Sequence, residues 1–456
     1  MRKSELNSGE TDRQPGLPVI RNGEKAAFVI FLLASAHLAF LQPYVTLLPD
    51  SRVNLFSGLV CLVALIAAVA FGRKDGLSLR SPEFLFSICL TGLMILSSLT
   101  SDAAGTASLR SLVVGASALG GYWSARLLVR DERRVRIWVW WCWGLFAAVV
   151  VLAVLGLIIS GQVHRFLDSH WHPTGSRILL LAFGPLALSL SSKKKLRWLS
   201  LTALAVGYVV LVWAGRTSGM ESVAMIPPGL CLLFIALRPW SWKKLTVLIA
   251  VLLFMSVALG ILLRVNAVNF GKAHISVAYR LENIMFSWHI ATKHPGLGVG
   301  LWAPRDAYLK DYQIGYPYLT KDMFTKWTRE LRTSENTLLT FMTDLGFPFL
   351  LLYLAAVLVI LWKLLTASLT EGRYGIPPAA LLLPVVGVFL HFQVYEGVFQ
   401  PQVSWFFYAL WGLAPAATRI SRRQWSRFVG RLGVMALAMA LGVVIGWLLS
   451  GLFGGV

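Results

Sequence analysis

The sequence predicts an all-α fold: a polytopic membrane helix bundle of about 12 to 13 transmembrane helices with one large helical loop outside the membrane. Three observations predict it. The mean hydropathy is +0.67, and only 14% of the residues are charged. Apolar segments long enough to cross a hydrocarbon core of about 30 Å recur along the whole chain. One polar stretch of about seventy residues, 264–336, interrupts them, while every other connection is short.

Each apolar segment is interpreted as a spanning helix, because a helix satisfies its own backbone hydrogen bonds in lipid. The thirteen segments are 26–47, 53–72, 82–100, 107–128, 137–160, 178–192, 197–214, 218–237, 245–263, 337–367, 375–391, 402–418 and 430–452. The sixth is short and the tenth is long, so the count is 12 to 13. Residues 1–25 are too charged for a signal peptide, and the first span is expected to remain as an anchor.

Basic residues predict the orientation of the bundle. If the N-terminus is cytoplasmic and the sides alternate, the cytoplasmic segments hold 27 Lys and Arg residues and the opposite short loops and span ends hold five. The positive-inside rule predicts this asymmetry. Four regions follow: a cytoplasmic tail (1–25), an N-terminal transmembrane bundle (26–263), a periplasmic loop with amphipathic helices (264–336) and C-terminal transmembrane helices (337–456). If the protein lies in a bacterial inner membrane, the long loop and the active face are in the periplasm.

The net charge of +21 does not indicate a nucleic-acid partner, because the basic residues sit in short loops between apolar spans. The outward loop carries ten of the 42 Lys and Arg residues, for which an anionic substrate would account. The four cysteines lie inside apolar spans, and no pair of them has metal-ligand spacing. They are interpreted as small buried hydrophobic residues. His164, His170 and His172 share one short outward loop with Asp168 alone as a carboxylate, so no metal site is predicted. His391 lies in a span and is interpreted as a hydrogen-bonded packing residue.

Within the outward loop, 277–293 has the pattern of an amphipathic helix on a membrane face. The apolar residues at helical spacing are Leu281, Ile284, Met285 and Trp288. The glycine-rich run 296–300 is expected to end this helix. Since no strand precedes the run, it is not interpreted as a nucleotide-binding loop.

Three outward-side residues are candidates for catalysis: Arg216 at the end of a span, Arg280 near the start of the loop helix, and Glu335 just before the tenth span. Guanidinium groups bind diphosphate in bidentate fashion and stay charged. A carboxylate near them can accept a proton from an attacking hydroxyl. Each residue also has a structural interpretation. Arg216 can snorkel to the interface, Arg280 can pair with Glu282, and Glu335 can cap a helix.

Six further residues on the outward side are candidate substrate ligands, because they can donate hydrogen bonds or carry positive charge. They are Arg177, His289, Lys321, Arg329, Arg332 and Asn336. Between 310 and 333, aromatic residues alternate with basic ones. That mixture suits a groove for sugar and phosphate, and it equally suits anchoring at headgroup depth.

Three short motifs contain these residues. They are Gly215-Arg216-Thr217; Arg280 with Trp288, followed by His294-Pro295-Gly296-Leu297-Gly298-Val299-Gly300; and Glu335-Asn336, followed after nine residues by Gly346. In order and spacing they resemble the O-antigen ligase and polymerase superfamily, over roughly 165–350. The chain departs from the family pattern twice. Glu335 stands where the ligases usually carry histidine, and Phe349 replaces the last glycine.

The resemblance implies a metal-independent, inverting transfer without a cofactor, from an undecaprenyl-diphosphate-linked glycan donor to an acceptor hydroxyl. Arg216 and Arg280 would hold the diphosphate, and residue 335 would activate the acceptor. The predicted acceptor is lipid A–core, as in an O-antigen ligase; the alternative is another lipid-linked glycan, as in an O-antigen or exopolysaccharide polymerase. Two other classes stay open. One is a membrane transporter or flippase of lipid-linked glycan, disfavoured because the spans are nearly free of charge at mid-depth. The other is a non-catalytic scaffold surrounded by membrane lipids.

Overall fold

The computed structural model describes residues 18–40, 50–72, 82–101, 104–167, 171–191, 194–216, 275–301, 303, 305–309, 312, 320–331, 334, 336–368, 377–393, 395 and 397–417. No residue in these ranges forms a β-strand. The α-helices are α1 (Pro18–Phe40), α2 (Asp50–Phe71), α3 (Pro82–Leu99), α4 (Ala104–Leu128), α5 (Glu132–Ser160), α6 (Trp171–Leu181), α7 (Phe183–Ser191), α8 (Lys194–Arg216), α9 (Ile275–Lys293), α10 (Lys321–Leu331), α11 (Thr337–Ser368), α12 (Pro378–His391) and α13 (Pro401–Ala417). Short 3-10 helices occupy Asp306–Leu309 and Gly397–Phe399. The predicted all-α fold class is confirmed.

Within the described ranges, four helices are long and apolar enough to cross a membrane: Asn22–Phe40, Glu132–Ser160, His172–Leu190 and Thr337–Leu361. Shorter apolar helices occupy Leu55–Phe71, Phe84–Leu99 and Pro378–His391. These helices coincide with predicted spans, as a helical membrane bundle requires. The predicted spans 218–237, 245–263 and 430–452 lie outside the described residues.

The sixth predicted span, 178–192, is longer in the structure. Its helix begins at Trp171, and Ala182 separates α6 from α7. Hydropathy underestimated its length because the first turns bury polar side chains such as His172 and Ser176. Both find hydrogen-bond partners inside the protein, which makes their burial tolerable.

The core of the bundle lies between α4 and α13. Gly121 packs against the backbone of Trp405, and Gly412 packs against the backbone of Tyr122, so a side chain at either glycine would overlap the opposite helix. Small residues at such crossings let helix backbones approach closely, which is a principal source of helix association in lipid. The Trp405 ring is fully buried, and its Nε1 donates to Ser35 Oγ on α1 at 2.9 Å.

Two arginines mark opposite ends of the bundle. Arg134, at the start of α5, pairs with Glu24 near the start of α1 at 2.5 Å. At the other end, Arg177 donates to the carbonyl oxygen of Ala39 at 2.7 Å and to that of Leu167 at 2.9 Å. Arg134 and Arg177 therefore contact opposite ends of α1. The end marked by Arg177 is the one predicted to face outward.

Helix α11 is broken at Gly346, whose φ of 82° and ψ of 171° are not helical. Pro348 cannot donate to the carbonyl oxygen of Asp344, because proline has no N–H. Phe347 N donates instead to Pro295 O at 3.0 Å. The break thus leaves carbonyl oxygens of residues 343 and 344 free to accept hydrogen bonds from elsewhere.

The glycine-rich run after α9 supplies those hydrogen bonds. Val299 N donates to Thr343 O at 3.0 Å, and Gly300 N donates to Asp344 O at 2.9 Å. Gly298 and Gly300 have φ values of 67° and 95°, in the left-handed region that favours glycine. A Cβ at Gly298 would overlap the backbone of Asp344. The glycine-rich run 296–300 and the segment around Gly346 therefore form one backbone-to-backbone contact, the glycine joint, which attaches the loop to α11.

The outward loop has its own small aromatic core. Its members are Ala278, Tyr279, Phe286, Ile290, Val299, Ala303, Leu309, Tyr312 and Phe324. They come from α9, from the segment around the first 3-10 helix, and from α10. The predicted helix 277–293 is confirmed as α9, and it leaves Ile284 (47% exposed) and Trp288 (56% exposed) on its outer surface. A helix resting on a membrane face would expose such residues.

Candidate active site

The segment just before α11 is held firmly on both sides of position 335. Asn336 Oδ1 accepts from Leu339 N at 3.0 Å, so Asn336 caps the helix. Its Nδ2 donates to Gln393 O at 2.8 Å, and Thr337 N donates to Phe392 O at 2.9 Å. These contacts attach the start of α11 to the end of α12. Glu335 itself lies outside the described residues.

One face of α9 lies against this segment. Ser287 Oγ is 2.7 Å from Ser334 Oγ and donates to Asn283 Oδ1 at 3.5 Å. Arg280 lies seven residues before Ser287, about two helical turns along the same face. Arg280 also interacts electrostatically with His391, the last residue of α12. Arg280 therefore lies at the same end of the bundle as Ser334 and His391.

A buried histidine pair lies beside this face. His172 Nδ1 is 3.1 Å from His391 Nε2, and Ser176 Oγ is 3.1 Å from His391 Nδ1. The His172 ring stacks on Tyr395 with 4.6 Å between ring centroids. The sequence interpretation treated His391 as a packing residue and predicted no metal site at His172. Their contact could not be seen there, because 219 residues separate them.

The sequence interpretation also missed a buried ion pair. Arg305 Nη2 donates to Asp344 Oδ1 at 2.6 Å, and the two side chains are 1% and 0% exposed. Breaking such a pair by removing one partner typically costs about 3–5 kcal/mol, since it leaves a buried charge uncompensated. Asp344 was the available signal: a carboxylate inside an apolar span usually has a partner or a function.

The other predicted site residues have varied surroundings. Arg177 is fully buried and donates to backbone carbonyl oxygens, which gives it a structural role at the end of α1. The His289 ring packs edge-to-face on Tyr312 at 5.5 Å. Lys321 is exposed at the start of α10. Arg216 ends α8 and Arg329 lies in α10, with no side-chain placement described; Arg332, like Glu335, lies outside the described residues.

Two of the structural interpretations can be compared with these contacts. Asn336, the neighbour of Glu335, performs the capping that was one explanation for Glu335. Glu282, suggested as a surface partner of Arg280, is fully buried and accepts from Tyr312 Oη at 3.2 Å. These contacts do not test the catalytic roles of Arg280 and Glu335, which stay predictions.

An apolar cavity of about 110 Å³ lies within the bundle. Its walls come from α3, α4, α11 and α13, and they include Met94, Gly115, Phe349 and Tyr353. Phe349 is the residue that departs from the glycine of the family pattern.

Fold and site together define a polytopic helical membrane protein whose polar residues gather where one docked loop meets the ends of spanning helices. A family model described as O-Antigen ligase matches residues 203–354. The matched third of the chain includes Arg216, Arg280, Arg305 and position 335. The match confirms the resemblance to the O-antigen ligase superfamily over this third of the chain. No curated protein matches it.

Proposed function

We propose that this protein transfers a glycan from an undecaprenyl-diphosphate-linked donor to an acceptor hydroxyl at the periplasmic face of the inner membrane. In this proposal it is an O-antigen ligase with lipid A–core as the acceptor. One observation carries the proposal beyond the family match. Ser287, on the face of α9 that carries Arg280, contacts Ser334, and Ser334 directly precedes the predicted base.

The proposed reaction is a single displacement that inverts the anomeric carbon. The acceptor oxygen forms a bond to that carbon while the bond to the lipid diphosphate oxygen breaks. The diphosphate leaves with the electron pair and stays on its lipid. Arg216 and Arg280 stabilise the charge that develops on it, since oriented guanidinium donors match phosphate oxygens. Glu335 takes the proton of the acceptor hydroxyl.

The remaining predicted ligands would hold the sugars. Lys321, at the exposed start of α10, and His289, on α9, flank the same loop core. Arg329 and Arg332 follow Lys321 along the chain, and Asn336 joins the base segment to the end of α12. Such contacts orient the acceptor without taking part in proton transfer. In this proposal Arg177 acts indirectly, because its described contacts keep α1 and α6 together.

The apolar cavity supports a lipid-linked donor. In the proposal it receives part of the hydrocarbon chain, while the diphosphate sits at the outward end beside Arg280. Apolar walls with a few tyrosine hydroxyls suit a chain that has no hydrogen-bonding groups. The exposed Ile284 and Trp288 on α9 would rest on the lipid surface above it.

A polymerase is the second candidate, and Glu335 is the observation that favours it, because the family's ligases usually carry histidine there. A deletion strain distinguishes the two. Loss of a ligase leaves full-length glycan on the lipid carrier and none on lipid A–core. Loss of a polymerase leaves single repeat units on lipid A–core.

A transfer assay with purified protein in detergent distinguishes an enzyme from a transporter. An enzyme forms a new glycosidic bond and releases lipid diphosphate from a purified donor. A flippase or a scaffold does neither, since no membrane leaflets are present to exchange lipid. Product formation that requires Arg280 supports the proposal. Absence of product with both lipid A–core and lipid-linked glycan as acceptors refutes it.

A further inference from the structure

Arg305 donates hydrogen bonds to two residues besides Asp344, its ion-pair partner. Its Nη2 donates to Asp344 Oδ1 at 2.6 Å and to Thr343 Oγ1 at 2.7 Å. Its Nη1 donates to Ser334 Oγ at 2.5 Å. The guanidinium group is 1% exposed, so these hydrogen bonds form without competition from water.

Ser334 connects this hydrogen-bond network to the predicted catalytic base. It directly precedes Glu335 in the chain, and it is held through both side chain and backbone. Its hydroxyl accepts from Arg305 and contacts Ser287 on α9, while its N–H donates to Thr340 Oγ1 at 3.3 Å. Movement of Ser334 would displace the backbone of residue 335 with it.

Asp344 connects the same network to the glycine joint. Its carboxylate accepts from Arg305 and Thr343, while its carbonyl oxygen accepts from Gly300 N and from Ser97 Oγ at 2.8 Å. Arg305 therefore links the segment that enters α11 with the break in α11. Only a planar group with several fixed donors can bind both at once, which is a property of arginine and not of lysine.

We infer that Arg305 is a positioning residue for the transfer reaction: it holds Ser334, the residue before the predicted base, against the face of α9 that carries Arg280. The inference rests on the proposed function. The Arg305 guanidinium does not touch substrate, because it is buried and its Nη donors end on Ser334, Thr343 and Asp344. It therefore affects the rate of the chemical step and not the binding of the donor.

Two substitutions separate positioning from support of the fold. Ser334→Ala and Thr343→Val each remove one hydrogen bond to Arg305, but only Ser334 adjoins residue 335. We expect Ser334→Ala to lower kcat by about 10- to 100-fold with the donor KM within about twofold, since small misplacements have effects of this size. Thr343→Val, which leaves the hydrogen bond between Arg305 and Ser334 in place, should lower kcat by at least about threefold less than Ser334→Ala. Equal losses in the two variants, or no loss in Ser334→Ala, would overturn the inference.

Arg305→Lys tests the same point from the other end. Lysine keeps the charge opposite Asp344 but cannot reach Ser334 and Thr343 in the same geometry. We expect a kcat loss like that of Ser334→Ala, and the double variant should lose no more than Arg305→Lys alone, because both remove one coupled contact. If the two losses in kcat multiply in the double variant, Arg305 and Ser334 act independently, which would contradict the inferred role of Ser334. If Arg305→Lys does not fold, the comparison of Ser334→Ala with Thr343→Val still tests the inference.

A measurement that does not use activity separates this inference from the proposed function. Amide hydrogen exchange over 334–340 should speed up in Ser334→Ala and stay unchanged in Thr343→Val. If wild-type protein transfers no glycan, the proposed function fails, and the catalytic part of the inference fails with it. If wild type is active and Ser334→Ala exchanges faster at unchanged kcat, the proposed function stands and Arg305 is only structural.

Discussion

The transmembrane bundle and the outward loop are stabilised by different kinds of contact. In the bundle, glycines bring α4 and α13 into backbone contact around the buried ring of Trp405. In the loop, aromatic rings such as Phe286 and Phe324 pack edge-to-face at 5.5 Å, and a buried carboxylate, Glu282, accepts from Tyr312. The bundle depends on close fit between surfaces, whereas the loop depends on specific polar partners as well.

The joint between these regions combines both kinds of contact. Gly298 and Gly346 provide the close approach, while Arg305 and Asp344 provide the polar partners. Polar groups buried at such a joint tolerate little substitution, because each partner left alone would be a buried unsatisfied group. We therefore expect the chemistry to be sensitive at the joint and tolerant in the bundle.

The largest effect is expected at Glu335. Glu335→Gln keeps the shape of the side chain but removes the base, so transfer should fall by about 10²- to 10⁴-fold while donor binding is retained. Glu335→His, which restores the usual family residue, should keep partial activity, with a pH profile displaced toward the imidazole range. An in vitro transfer assay measures both. Full activity of Glu335→Gln would exclude Glu335 as the base and leave the base unidentified.

The next largest effect is expected at the diphosphate-binding arginines. Arg280→Ala and Arg216→Ala should each lower transfer by about 10²- to 10³-fold, the usual effect of removing one positioned donor. Lysine at either position should rescue poorly, since it lacks the bidentate fork. The control is Arg136→Ala, which removes an arginine that is 69% exposed at the opposite end of the bundle. Near-normal rates in either site variant would exclude that arginine from the site.

Two glycine substitutions separate the joint from the bundle. Gly298→Ala forces a side chain into a left-handed residue against Asp344, and should destabilise loop docking by about 1–3 kcal/mol. We expect lost transfer and faster proteolysis of the loop in a protein that still inserts. Gly121→Ala should instead reduce the amount of inserted protein, because it separates α4 from α13.

Gly296→Ala is the control for the joint, since nothing lies within 4 Å of a Cβ there. It should behave like wild type in both transfer and proteolysis. If Gly298→Ala and Gly121→Ala instead have the same phenotype, loop and bundle unfold as one cooperative unit, and the comparison between them fails.

The smallest effect is expected in the apolar cavity. Gly115→Leu would fill part of it, meeting only the flexible end of Met94 at 2.9 Å from its Cβ. The donor KM should rise by about threefold to tenfold, as for loss of a few methylene contacts, with kcat little changed. Gly92→Leu on α3 is the matched control, because its Cβ meets nothing within 4 Å. An unchanged KM in Gly115→Leu would place the donor chain elsewhere.

Local patterns in the sequence were enough to predict most of the described helices. The predicted helix 277–293 differs from α9 by two residues at its start, and the tenth predicted span, 337–367, coincides with α11. The break within α11 was not predicted, because the groups that bond to residues 343, 344 and 347 are not their neighbours in the sequence. Its partner is a glycine run about fifty residues earlier in the chain.

The candidate site was predictable only in part. Arg280 and position 335 could be selected because short motifs contain them, and a motif is a local property of the chain. Arg305 could not, since its partners Ser334 and Asp344 lie 29 and 39 residues away and no spacing rule joins them. The pair His172 and His391 was missed for the same reason.

The sequence by itself determined the membrane-spanning class, most of the described helices and the resemblance to one family. Hydropathy, helix periodicity and short motifs all depend on residues that are close together in the chain. Only the tertiary structure decided which polar side chains meet: Arg305 with Ser334, and His172 with His391. The physical reason lies in burial. A polar group removed from water must find its hydrogen bonds inside the protein, and distant segments supply them once the backbone breaks at Gly346 and Pro348.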